Sequence, residues 1–139
     1  MLIPRQHQDK LANALLGIYK EFYPEGAAKS DSFGRLVNVG SAKRIRDKLE
    51  GSTGKIILGG QTNGVFIEPT VLTDVKGDDA IMQDELFAPI LSIVPVSDFD
   101  EAIAFINERY ATSFCYCVIL STAHHQTTTS GPLCLYSRL

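Results

Sequence analysis

Tryptophan is absent from the 139 residues, and cysteine is scarce. The three cysteines are Cys115, Cys117 and Cys134. A single residue separates the first two, which is not the Cys-x-x-Cys spacing of a zinc or redox motif, and an odd count argues against a closed disulfide framework. We therefore predict free thiols with no metal-binding or redox role.

Positive charge and long apolar runs are also lacking. The chain has 13 Lys and Arg against 16 Asp and Glu, so no basic stripe supports nucleic-acid binding. No apolar run approaches the roughly 20 residues of a membrane helix, and Met1–Arg5 lacks the features of a signal peptide. With 45% hydrophobic residues, the composition predicts one globular domain that is intracellular and cytoplasmic.

The first third of the chain predicts two helices. Pro4 can open the first, which Pro24 and Gly26 end. Its apolar residues recur at helical spacing and predict one buried face, formed by Leu11, Leu15, Ile18 and Phe22. Ser41 is the predicted N-cap of the second helix, whose inner face would carry Ile45 and Leu49.

Extended segments and one further helix follow. Lys55–Leu58 predicts a buried strand, and residues 65–72 predict an edge strand or two short pieces, because Pro69 cannot donate to a ladder. Residues 90–96 are almost wholly apolar, as in a strand covered on both faces. Asp98 and Glu101 form a predicted capping box for a third helix. Its predicted inner face is Phe99, Ala102, Ile103 and Ile106. This alternation predicts an α/β fold with layered, partly parallel sheets and flanking helices.

The last 30 residues have a different composition. Residues 114–120 could form a strand, whereas residues 121–130 are polar and threonine-rich, which favours disorder. Within them His124 and His125 are adjacent, but two neighbouring histidines rarely hold a metal without further ligands.

Four blocks in order resemble the aldehyde dehydrogenase superfamily. They are Phe22–Gly26, Phe66–Val75, Met82–Leu91 and Asp100–Asn107, and the third contains a version of the Glu-x-Phe-Gly-Pro signature. The first block resembles the class of fatty and aromatic aldehyde dehydrogenases, in a fungal-type variant. The resemblance covers residues 2–110 and implies part of the family's catalytic domain over 1–110, followed by a divergent, poorly ordered tail over 111–139.

The resemblance implies two cofactor-binding residues. Glu85 matches the carboxylate that accepts hydrogen bonds from the nicotinamide ribose hydroxyls, and Phe87 matches the aromatic that packs near the nicotinamide of NAD or NADP. From local sequence alone, Glu85 would be a solvated loop carboxylate and Phe87 a core residue. Ala88 stands where the family usually has glycine, which is tolerable at negative φ and strained at positive φ.

The family oxidises aldehydes through a cysteine thiolate, passes hydride to NAD(P) and uses a glutamate to activate water. The resemblance places that thiolate just before the helix at Pro4, where the chain has no cysteine, and no Gly-x-Gly-x-x-Gly is present. We therefore expect a truncated chain that lacks the nucleophile and the dinucleotide-binding domain, is inactive and does not bind NAD(P) alone.

Alternative roles remain open at this point. The chain could associate with full-length subunits or with itself as a homo-oligomer, or be a gene-model product with no independent role. The pairs Asp78-Asp79 and Asp84-Glu85 supply too few oxygen ligands for a hard cation, so we predict no metal site. Asp78 and Asp79 are predicted to be exposed turn residues.

Overall fold

The computed structural model describes residues 1–108, 116–118 and 133–135. The three α-helices are α1 (Arg5–Phe22), α2 (Val39–Gly51) and α3 (Phe99–Asn107). The strands are β1 (Leu2–Pro4), β2 (Lys55–Leu58), β3 (Thr62–Asn63), β4 (Phe66–Ile67), β5 (Thr70–Thr73), β6 (Ile90–Ser92), β7 (Val94–Val96), β8 (Tyr116–Val118) and β9 (Leu133–Leu135). Short 3-10 helices cover Ala27–Lys29 and Ala80–Met82.

Two main sheets organise the chain. One has the strand order β7-β1-β8-β9, with β1 parallel to β7 and β8, and with β8 antiparallel to β9. The other has the order β2-β5-β6, in which β5 is antiparallel to β2 and parallel to β6. Strands β3 and β4 form a separate antiparallel hairpin. Mixed sheets with flanking helices confirm the predicted α/β class.

The apolar stretch over residues 90–96 is two strands, not one as predicted. It breaks at Ile93, which is fully buried, so that β6 lies in one main sheet and β7 in the other. The main chain of Ile93 donates to Leu72 O at 2.8 Å and accepts from Val75 N at 3.1 Å. These two bonds satisfy the buried backbone at the crossing between sheets.

Proline at position 69 has the predicted effect on the stretch over residues 65–72. The chain forms two short strands, β4 and β5, on either side of Pro69. Strand β5 is the middle strand of its sheet, and all four of its residues are buried. Of the predicted buried strand β2, only Leu58 is fully buried, because β2 lies at the sheet edge.

Helix α1 has the predicted bounds, but its buried face is turned. Gln8 and Ala12 are buried, whereas Ile18 is 47% exposed and Phe22 is 70% exposed. A smaller core cluster is formed by Ile3, Leu58, Val71 and Ile93, and the α1 residues packed against it are Leu11, Leu15, Leu16 and Tyr19. Gln8 is turned inward because its side chain exchanges two hydrogen bonds with Asp74, at 3.0 and 3.2 Å. The prediction that Ile18 and Phe22 are buried was therefore wrong.

The caps of α2 and α3 show where local signals identified helix ends. Asn38, not Ser41, is the N-cap of α2, and its Oδ1 accepts from Ser41 N at 2.8 Å. At α3, Asp98 Oδ1 accepts from Glu101 N at 2.8 Å, as predicted. The Glu101 carboxylate in turn accepts from Ser97 N at 2.6 Å, one residue before the position expected for a capping box.

The largest core cluster lies between α2, α3 and the strands. Its fully buried members include Ile45 of α2, Leu72 of β5 and Ala102 of α3, so the predicted inward positions Ile45, Leu49 and Ala102 are confirmed. Ile103, predicted on the inner face of α3, is 37% exposed. The predicted strand over residues 114–120 contains β8, while residues 121–130, with His124 and His125, lie outside the described residues.

Candidate functional site

The segment from Gln83 to Pro89 carries both residues predicted to bind a cofactor. Glu85 is exposed, and its carboxylate has no ion-pair partner within the described residues. Phe87 is 79% exposed and has φ of +49°. A large aromatic residue held exposed in the left-handed region is uncommon in a structural loop and is typical of a functional position.

Ala88 is compatible with the backbone that it occupies. The non-glycine residues with positive φ in the described part of the chain are Asp74 and Phe87, so Ala88 does not need the freedom of glycine. Its methyl group packs against the largest core cluster, as do the side chains of Leu86 and Ile90. Alternate residues of the segment therefore face inward, and Glu85 and Phe87 face outward.

Helix α2 holds this segment in place through two basic side chains. Arg44 Nη1 donates to Glu85 O at 3.2 Å, and Arg44 Nη2 donates to Leu86 O at 2.8 Å. One turn later, Lys48 Nζ donates to Ala80 O at 3.2 Å and pairs with the Asp84 carboxylate at 2.7 Å. The hydrogen bond and charge of Lys48 lower the pKa of Asp84.

Asp79, which precedes the segment, is buried, so its predicted exposure was wrong. It is 5% exposed and accepts hydrogen bonds from Ile81 N, Thr53 N and Thr53 Oγ1 at 2.8–3.0 Å. Burial alone would raise the pKa of the Asp79 carboxyl, but bonds from Ile81, Ser52 and Thr53 outweigh it and lower that pKa. Asp78, its neighbour, is exposed as predicted.

A cavity of about 350 Å³ opens beside the segment. Its lining residues come from the loop before α2, from β4 and from the segment itself, namely Phe33, Gly34, Arg35, Leu36, Ile67, Phe87, Ala88 and Pro89. Arg35 fixes the far wall, since its guanidinium donates to the carbonyls of Ala28, Phe33 and Gly34 and lies 4.7 Å from the centre of the Phe66 ring. The cavity is therefore mostly apolar, with one cation engaged in its wall.

The loop over residues 23–36 is tied to α1 by aromatic contacts. Tyr23, Phe33 and Phe66 follow Tyr19 in a chain of rings whose centroids are 5.5–5.9 Å apart. Tyr19 also donates to the Glu68 carboxylate at 2.9 Å. Burial, with the hydrogen bond and charge of Glu68, raises the pKa of Tyr19. These contacts hold the cavity wall to α1 and β4.

Metal-binding clusters and membrane helices are both missing from the described ranges. No group of three or more His, Cys, Asp or Glu side chains in residues 1–108 and the two later strands could hold an ion. No helix in the same part of the chain is long and apolar enough to span a bilayer.

A sequence model of the aldehyde dehydrogenase family matches residues 1–118. The chain belongs to the aldehyde dehydrogenase family. The match includes the Glu85–Pro89 segment and extends eight residues beyond the predicted limit of resemblance at residue 110. Aldehyde dehydrogenases are oxidoreductases, so the predicted enzyme class is confirmed at the level of the family.

Two curated relatives show which branch the chain resembles. "Aldehyde dehydrogenase family 3 member A2" of Pongo abelii is 51% identical over 92 residues, which is 65% of this chain and 19% of the relative. The "4,4'-diaponeurosporen-aldehyde dehydrogenase" of Staphylococcus aureus is 39% identical over 111 residues, 78% of this chain and 24% of that enzyme. The matched part of the chain thus spans about a fifth of the first relative and about a quarter of the second.

Solved structures place the fold in the same family. The substrate-bound state of Staphylococcus aureus AldH aligns with a TM-score of 0.73 at 39% identity, covering 78% of this chain and 24% of that one. The aldehyde dehydrogenase of Mycobacterium tuberculosis complexed with NAD+ aligns with a TM-score of 0.63 at 26% identity, covering 77% and 24%. The aligned residues therefore have the fold of part of the aldehyde dehydrogenase catalytic domain.

Proposed function

We propose that this chain acts as part of an NAD(P)-dependent aldehyde dehydrogenase, in which it forms the wall that holds the nicotinamide ribose. The observation that carries the proposal is the Glu85–Pro89 segment, which presents an exposed carboxylate and an exposed aromatic ring from a fixed backbone. The substrate class would be aldehydes, oxidised to carboxylic acids.

The chemistry of these side chains suits the nicotinamide end of the cofactor. The Glu85 carboxylate offers two acceptor oxygens, which match the paired hydroxyl donors of a ribose, and charge-assisted hydrogen bonds of this kind are strong. The Phe87 ring offers an apolar face to a planar heterocycle, two residues along the same segment. The Glu85 carboxylate forms no ion pair among the described residues, and most of the Phe87 ring is exposed, so neither side chain has to leave an ion-pair partner to bind the cofactor.

When bound, NAD(P) would supply the hydride acceptor for aldehyde oxidation. In this proposal Glu85 orients the ribose and Phe87 limits where the nicotinamide ring can lie, so that both groups act by positioning. The attacking thiol and the dinucleotide-phosphate contacts would come from residues outside this segment. The 139-residue chain alone is then expected to form no NAD(P)H from aldehydes, and reproducible turnover by the purified chain would contradict this part.

A segment exchange provides the test. The matching 111-residue segment of the Staphylococcus aureus enzyme would be replaced by that of this chain, and Glu85→Gln compared with the parent chimera. We expect the KM for the nicotinamide cofactor to rise about ten- to a hundredfold, because one charge-assisted hydrogen bond is worth roughly 1.5–3 kcal/mol and each 1.4 kcal/mol is a factor of ten. The KM for the aldehyde should not change.

The matched control is Glu50→Gln, since Glu50 is also an exposed glutamate and lies on α2. It should leave both KM values unchanged. Equal cofactor KM values for the Glu85 and Glu50 variants would refute the assignment of Glu85. So would a chimera that melts cooperatively but binds neither NAD nor NADP.

A second candidate is a non-catalytic chain that associates with full-length dehydrogenase subunits. The observation that favours it is the exposed apolar pair Ile18 and Phe22, one turn apart on α1. Co-expression of the tagged chain with a full-length family member tests this. Co-purification that is lost in Ile18→Ser/Phe22→Ser would support it, and a tagged chain that elutes alone would reject it.

A further inference from the structure

Arg44 binds the main chain of the proposed cofactor-binding segment, and none of its hydrogen bonds or ion pairs in the described residues involves the side chain of Glu85 or Phe87. Both of its bonds go to main-chain oxygens, Glu85 O and Leu86 O, at 3.2 and 2.8 Å. These carbonyls belong to the two successive peptide units between Glu85 and Phe87. A planar guanidinium that binds both fixes their relative orientation, which a flexible point donor such as lysine cannot do.

The contact leaves the Glu85 carboxylate available. Arg44 and Glu85 form no ion pair within 4.0 Å, although the guanidinium lies against the Glu85 main chain. A salt bridge to the carboxylate would compete with a ribose for the same oxygens. Arg44 instead binds the main-chain oxygens of Glu85 and Leu86, and the exposed Glu85 carboxylate keeps its oxygens available.

Helix α2, which carries Arg44, is packed into the core. Ala42, Ile45 and Leu49 of α2 are buried in the largest core cluster. Lys48, one turn beyond Arg44, holds the preceding part of the loop through Ala80 O and the Asp84 carboxylate. The loop is thus bound at two points by residues four apart on one helix, which is the spacing that places side chains on one face.

Phe87 needs such support because of its backbone. Its φ of +49° is disfavoured for a residue with a Cβ atom and persists only where the surroundings determine it. The Leu86 carbonyl, which accepts the shorter of the two Arg44 bonds, belongs to the peptide unit that leads directly into Phe87.

We propose that Arg44 is a positioning residue for nicotinamide binding, which it promotes by presetting the backbone that presents Glu85 and Phe87; this rests on the proposed function. The same geometry makes Lys48 an accessory support. Loss of Arg44 would then weaken the cofactor contact without removing any group that touches the cofactor.

The first arm of the test uses the full 139-residue chain and no cofactor. Hydrogen exchange by mass spectrometry is compared between the parent chain, Arg44→Gln and the matched control Lys43→Gln. Lys43 is the adjacent cation of α2 and pairs only with the exposed Asp47 among the described residues. We expect the amides of Thr70 and Ile90, which donate to Pro89 O and Ala88 O of the segment, to exchange about tenfold faster in Arg44→Gln, as local opening becomes easier, while α2 and residues 71–73 of β5 keep their protection. Lys43→Gln should match the parent.

The second arm uses the chimeric dehydrogenase. Arg44→Gln should raise the cofactor KM about tenfold and leave the aldehyde KM unchanged, and adding it to Glu85→Gln should cause little further loss, since both act through one contact. Arg44→Lys keeps the charge and the packing of the stem but not the forked donor, so we expect a rise of about threefold. This conservative variant keeps the test valid if Arg44→Gln folds poorly.

The outcomes separate the two proposals. If Glu85→Gln leaves the cofactor KM unchanged, the proposed function fails, and the exchange arm still reports whether Arg44 orders the segment. If Glu85→Gln raises the cofactor KM, but Arg44→Gln exchanges like Lys43→Gln in the first arm and neither Arg44 variant raises the cofactor KM in the second, the positioning role is overturned. A uniform loss of protection across α2 and β5 would also overturn it, because Arg44 would then be a general stabilising residue.

Discussion

Asp79 supplies the sharpest prediction about stability, because the partners of its carboxylate are unequally buried. Ile81 is 2% exposed, so without Asp79 its N–H has no route to water. Thr53 is exposed, so its N–H and hydroxyl can bind solvent instead. Leaving a buried donor unpaired costs about 1–3 kcal/mol, and losing the charge-assisted bonds to Thr53 adds roughly 1 kcal/mol. We therefore expect Asp79→Ala to lower the free energy of unfolding by about 3 kcal/mol.

Urea unfolding followed by circular dichroism at pH 7 measures this loss. The control is Asp78→Ala, an exposed aspartate next in sequence, which should change stability by less than about 0.5 kcal/mol. Asp79→Asn keeps one acceptor oxygen and should fall between the two. If Asp79→Ala and Asp78→Ala unfold at the same urea concentration, the hydrogen bonds of Asp79 do not stabilise the fold as argued.

The same contacts predict how the difference depends on pH. The pKa of Asp79 is lowered in the folded chain from an ordinary value of 3.8. A carboxyl with a depressed folded pKa stabilises the fold above its unfolded pKa and loses that contribution as pH falls through the folded one. The stability gap between the parent and Asp79→Asn should thus be constant from pH 7 to about 5 and shrink below pH 4. A gap that is still undiminished at pH 2.5 would contradict the assigned cause.

Two glycines provide predictions of opposite sign. Gly59 has φ of +74°, and an added Cβ would lie 2.1 Å from Pro69 O, so Gly59→Ala should destabilise the chain by more than about 2 kcal/mol in the same urea assay. Gly17 lies inside α1 with nothing within 4 Å of an added Cβ, so Gly17→Ala should stabilise it by roughly 0.5–1 kcal/mol. A neutral Gly59→Ala, or a destabilising Gly17→Ala, would show that these backbones are not as described.

Local signals in the sequence predicted where most helices and strands lie, but not which of their side chains are buried. The capping residue Asp98, the interruption at Pro69 and the glycines after Leu58 act within a few residues, so they could be recognised without tertiary information. The buried face of α1 could not, because Gln8 is inward only through its bonds to Asp74, 66 residues away. The break at Ile93 likewise depends on Leu72 and Val75, which lie on another part of the chain.

Asp79 shows the same limit for a single residue. Its surroundings in sequence are a polar turn, which favours exposure, and nothing local distinguishes it from Asp78. What separates them is Thr53, which lies 26 residues earlier and is brought alongside by β2. Burial of a carboxylate in this fold therefore depends on a long-range partner that periodicity and composition do not specify.

Arg44 illustrates why the support of the proposed cofactor-binding segment is harder to predict than the segment itself. Glu85 and Phe87 are defined by side-chain chemistry, so a motif can carry them, whereas Arg44 binds carbonyl oxygens that every residue possesses. The side chains at positions 85 and 86 do not indicate this contact, because Arg44 binds the main chain of Glu85 and not its carboxylate, and Leu86 is apolar. It follows that changes at Leu86 that keep its packing should leave the Arg44 contact intact, while changes at Arg44 alter the segment whatever side chains it carries. The contact depends on the side chain of residue 44 and on the backbone conformation at residues 85 and 86. These parts of the chain meet only in the folded structure.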